Sequence, residues 1–67
     1  MRDKMIQALI DHATAQIGKH KMNVEIYLNK AVGVGEHSDI METMEKEIGK
    51  IAEYHDQIEV LNKYFKD

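Results

Sequence analysis

Apolar residues, with one histidine among them, recur along this chain in two stripes that have the spacing of an α-helix. The first stripe has steps of 4, 3, 4, 3, 4, 3 and 4 residues: Ile6, Ile10, Ala13, Ile17, His20, Val24, Tyr27 and Ala31. The second stripe has steps of 4, 4, 3, 3, 4, 3 and 4: Ile40, Met44, Ile48, Ile51, Tyr54, Ile58, Leu61 and Phe65. Each stripe averages about 3.6 residues per step, which is the period of one helix face. The pattern predicts two amphipathic helices.

The segment between the stripes contains glycine and predicts a turn. We expect the first helix over about 3–31, the connector over about 32–38 and the second helix over about 39–65. Gly33 suits the left-handed residue just past a helix end. Ser38 or Asp39 suits the N-cap of the second helix, and Glu42 follows Asp39 at the spacing of a capping box. Residues 1–67 are thus predicted to form one domain, an all-α antiparallel two-helix hairpin.

Residues 24–28, Val-Glu-Ile-Tyr-Leu, alternate in a way that is typical of a strand. A strand needs a partner, and no other segment of the chain resembles one. The helical stripe also continues through these residues without a break. We therefore predict that they are helical.

Aligning the two stripes head to tail predicts the register of the hairpin. Facing residue numbers add up to about 71, so that Ala13 faces Ile58, Ile17 faces Tyr54, and His20 faces Ile51. Ile17 and Ile58 are expected to be buried, and truncating either to alanine should cost roughly 2–5 kcal/mol. Two glycines, at positions 18 and 49, fall in the middle of the helices, where they indicate either a close approach of the helices or a tolerated loss of helix propensity.

Several apolar residues lie outside the stripes and predict self-association. They are Met5, Leu9, Met22, Ile26, Leu28, Val32, Val34 and Met41. A two-helix hairpin has a single inner face, so this surface would remain in water. Two hairpins could bury it in an antiparallel four-helix-bundle dimer.

Length and composition narrow the classes of function. A chain of 67 residues has little core of its own, and the absence of cysteine excludes disulfides and thiolate metal sites. Residues 1–31 carry five basic against three acidic residues (+2), and residues 32–67 carry four against nine (−5). The net charge of −3 disfavours nucleic-acid binding. No apolar run is long enough for a membrane span, and the first residues do not have the pattern of a signal peptide.

His20 is the polar member of the first stripe. We interpret it as a neutral residue of the seam between the helices, where protonation would place a charge among apolar side chains. Stability would then fall as the pH drops through about 6.5. Alternatively, Glu25 or a carboxylate of a partner chain pairs with His20 and reverses this dependence.

The remaining histidines raise the alternative of a metal site. His12, His55 and Glu59 could converge if the register holds, and nitrogen with oxygen ligands suits a borderline divalent metal. A di-iron carboxylate bundle requires Glu-x-x-His, which none of the four histidines has. The two-glycine connector lacks the preceding strand of a phosphate loop, and no Ser–His–Asp set is convincing. We therefore expect no enzyme, no catalytic residue and no cofactor.

Two segments of the chain resemble a group of small uncharacterised helical proteins of T4-like marine cyanophages. They are Lys19-His20-Lys21-Met22-Asn23-Val24-Glu25-Ile26-Tyr27-Leu28 and Val32-Gly33-Val34-Gly35-Glu36-His37-Ser38-Asp39-Ile40; Ile51-Ala52-Glu53-Tyr54 and Tyr64-Phe65 look similar too. The resemblance implies a phage accessory protein in the cytoplasm of an infected host cell. It assigns no activity and no role to any residue.

Taken together, the sequence predicts a noncatalytic small helical interaction or assembly protein that forms a homodimer. The first alternative is a metal-binding module or metalloenzyme that uses His12, His55 and Glu59. The second is an adaptor that binds a host protein helix through the apolar surface outside the stripes.

Overall fold

Two long helices account for nearly all of the chain that the structure describes. The structure is a computed structural model, and it describes residues 1–30 and 37–66. Helix α1 is Arg2–Lys30 and helix α2 is His37–Tyr64. Side chains of α1 at positions 12 and 23 contact side chains of α2 at positions 54 and 47, so the helices run antiparallel. This confirms the predicted all-α hairpin.

The helix bounds agree with the sequence pattern except at the start of α2. Helix α2 begins at His37, two residues before the expected start, and Asp39 lies in its first turn. The prediction of Ser38 or Asp39 as N-cap is therefore wrong, although an acidic residue in the first turn still favours the helix dipole. Residues 31–36 lie outside the described residues, and with them the cap predicted at Gly33 and most of the connector.

Local hydrogen bonds explain why the helices are long and regular. The chain has no proline to interrupt them. The Met5 amide donates to the Met1 carbonyl at 3.1 Å, and the Phe65 amide donates to the Leu61 carbonyl at the same distance, so each outer end closes with a helical hydrogen bond. Residues 24–28 belong to α1, which confirms that this strand-like segment is helical.

The core between the helices is small. Among the described residues only Ile6 and Ala13 are buried, with 8% and 0% of their surface exposed. Ile17 and Ile58 are half-buried, so the expectation that they are fully buried is wrong for a single hairpin. Two helices can enclose only one line of contact, and most of the larger side chains along it keep one flank in water.

The second stripe is wrong at two positions. Ile48 is 53% exposed and Phe65 is 48% exposed, whereas Glu47 lies half-buried between the helices. Two successive steps of four residues rotate a helical position by about 80° away from its starting face, because each residue advances 100°. The seam therefore continues from Met44 through Glu47 to Ile51, and Ile48 points to the side.

The contacts between the helices support the predicted register. The register places position 23 opposite 48, and Asn23 contacts Glu47. It places position 17 opposite 54, and Tyr54 contacts histidines on either side of that level. A side chain added at Gly18 or Gly49 would meet nothing within 4 Å, so the glycines do not mark a close approach of the helices. Neither described helix contains an apolar stretch that could cross a membrane.

Candidate interaction surface and polar seam

A polar cluster interrupts the seam about two-thirds of the way along α1. Glu47 of α2 accepts hydrogen bonds from two residues of α1, His20 through Nδ1 and Asn23 through Nδ2, the latter at 2.9 Å. An ionised carboxylate only accepts, so the Nδ1 atom of His20 carries the proton in this contact. The side chains of His20 and Glu47 are 13% and 19% exposed. The cluster therefore ties the two helices together in a largely water-excluded place.

These contacts correct the predicted environment of His20. The register placed it opposite Ile51 among apolar residues, with Glu25 or a partner-chain carboxylate as the alternative. The structure instead pairs it with Glu47 of the same chain. The apolar surroundings on which the expected pH dependence was based are therefore not those that the structure gives His20.

Tyr54 completes the polar part of the seam. Its ring stacks on His20, with ring centres 6.5 Å apart and planes 12° from parallel. It also meets the ring of His12 edge-on, with centres 5.8 Å apart. Tyr54 therefore lies between two histidine rings of α1 that are about two helical turns apart. Such ring pairs contribute a modest favourable energy beyond that of the surface area that they bury.

The pKa of the Glu47 carboxyl is held below its usual range, chiefly by the hydrogen bond from His20. Partial desolvation opposes this shift, while the amide of Asn23 and the positive charge of Lys19 favour it. Hydrogen bonding to the charged form is the dominant cause. Folding therefore favours the ionised carboxylate.

The residues of the alternative metal site are not brought together. His55 and Glu59 lie 3.7 Å apart across one turn of α2, and both are about two-thirds exposed. His12 instead contacts Tyr54 on the seam. Within residues 1–30 and 37–66, no group of three or more histidines and carboxylates is arranged to hold a metal ion.

Apolar side chains form a continuous exposed surface where α1 begins and α2 ends. A groove of about 700 Å³ and a smaller adjoining groove share Leu9 and Leu61 in their walls. We call their apolar lining the terminal patch: Met1, Met5, Ile6, Leu9, Val60, Leu61 and Phe65. Met5 is 60% exposed and Leu9 54%. Because the exposed lining is mainly apolar, this open surface suits the side chains of a protein better than a polar small molecule.

The other apolar residues predicted outside the stripes are exposed wherever the structure describes them. They are Met22, Ile26, Leu28 and Met41, between 44% and 61% exposed. Val32 and Val34 lie outside the described residues. Ile48 and Val60 add to the exposed apolar surface, although the sequence stripes placed Ile48 inside and left Val60 out.

The sequence pattern missed Glu47 and Asn23 because polar residues do not contribute to an apolar stripe. One signal was present: Glu47 lies three residues after Met44 and four before Ile51, which is the spacing of the seam itself. Asn23 likewise follows His20 by three residues. A search for inward positions irrespective of polarity would have found both.

No family model, no curated protein and no solved structure matches this sequence.

Proposed function

We propose that this chain is a noncatalytic interaction or assembly protein that works as a self-associated helical hairpin, with two copies forming an antiparallel four-helix bundle. One observation carries the proposal: the described residues bury only Ile6 and Ala13, while eleven large apolar side chains are at least 38% exposed. The terminal patch makes part of this surface contiguous, and monomeric soluble proteins rarely leave a large contiguous apolar surface uncovered.

The total surface supports the same conclusion. A compact monomer of 7.8 kDa is expected to have an accessible surface of about 4,400 Å², and this chain has 5,329 Å². The excess of about 900 Å² is close to what each partner buries in a protein–protein interface of standard size. Burying that area between two copies would bring each chain to the surface expected for its mass.

Neither alternative has equal support. The metal-binding alternative needs His12 grouped with His55 and Glu59, and the described residues contain no such group of metal ligands. The adaptor alternative uses the same apolar surface, and it differs in requiring a stable monomer. The phage origin and the cytoplasm of the infected host cell rest on the sequence resemblance alone and are part of this proposal.

The solution mass tests the proposal. We expect light scattering at micromolar concentration to give twice the 7.8 kDa of the chain. The melting temperature, followed by circular dichroism, should rise with protein concentration because mass action favours the folded dimer. A mass of one chain together with a melting temperature that does not depend on concentration would contradict self-association. If that monomer were fully helical, the adaptor function would take its place.

A further inference from the structure

We draw no further inference here: the strongest candidate, the terminal patch where α1 begins and α2 ends, carries none, because large apolar side chains elsewhere on both helices, Met22, Ile26, Leu28, Met41 and Ile48, are exposed as well, and nothing in the structure shows what covers the patch.

Discussion

Glu47 determines the chemistry of the seam at the scale of single residues. It accepts hydrogen bonds from His20 and Asn23 across the helix interface. A single polar contact in an apolar seam can specify which residues of two helices face each other, because a slipped register would leave the polar groups unpaired. The cluster favours the observed register over one displaced by a turn.

The lowered pKa of Glu47 predicts an acid-dependent loss of stability. Because folding favours the ionised carboxylate, its contribution is complete above the ordinary carboxyl range and is lost as the pH falls through the lowered value. Glu47→Gln removes this dependence and leaves that of the other carboxylates. His20 and Asn23 contact Glu47, and the charge of Lys19 also lowers its pKa. Urea unfolding at about pH 7 and pH 3 should therefore show a wild-type advantage that shrinks in acid. An advantage that is equal at both pH values would contradict the assigned role of the carboxylate.

Gly49 and Gly18 predict a gain in stability on substitution by alanine. Each lies inside a helix, and a Cβ atom at either position meets nothing within 4 Å. Alanine lowers the entropy of the unfolded chain and favours the helix by about 1 kcal/mol over glycine. Thermal or urea unfolding of Gly18→Ala and Gly49→Ala measures the gain. Unchanged or lower stability in either variant would show that the glycine has a role in packing that the hairpin does not reveal.

At the scale of the helices, Ala13 marks the place where α1 and α2 pack most tightly. It has no exposed surface, whereas the isoleucines on either side of it along the stripe are half-buried. A small residue lets large side chains of the opposite helix fill the space, which is how layers of a helical core interdigitate.

Ala13→Leu should therefore destabilise the hairpin by about 1–3 kcal/mol, because the added methyl groups have no room in the seam. The matched control is Ala15→Leu, at an exposed position of the same helix. Both substitutions change helix propensity equally, so the difference between their unfolding free energies isolates packing. Equal stability of the two variants would show that the seam does not pass through Ala13.

At the scale of the whole molecule, elongation exposes the apolar surface. The hairpin measures 51 × 15 × 11 Å and has a radius of gyration of 15.5 Å, compared with about 11 Å for a compact chain of this length. Each helix has nearly thirty residues. The described residues contain no third element that could pack on the exposed faces of these helices. Association is the remaining route by which the exposed apolar residues leave water, and this is why the proposed function is an interface instead of a pocket.

The spacing of apolar residues, together with the short glycine-containing connector, predicted by itself that the chain forms two antiparallel helices, and it gave their approximate register. The unbroken helical stripe and the lack of a second strand-like segment also predicted that residues 24–28 are helical. Helix formation depends on local hydrogen bonding and on a period of 3.6 residues, and the sequence shows this period directly.

Only the tertiary structure decided which flank of each stripe faces inward and which polar residues join it. It replaced Ile48 by Glu47 in the seam, paired His20 with Glu47 across the helices and left Ile17 and Ile58 half-buried. Among the residues that it describes, it did not group His12 with His55 and Glu59 as metal ligands. A periodic pattern specifies a face to within several tens of degrees, whereas a hydrogen bond or a metal site requires side chains placed to within a fraction of an ångström. That placement depends on the packing of one helix on the other, which a pattern along a single helix does not contain.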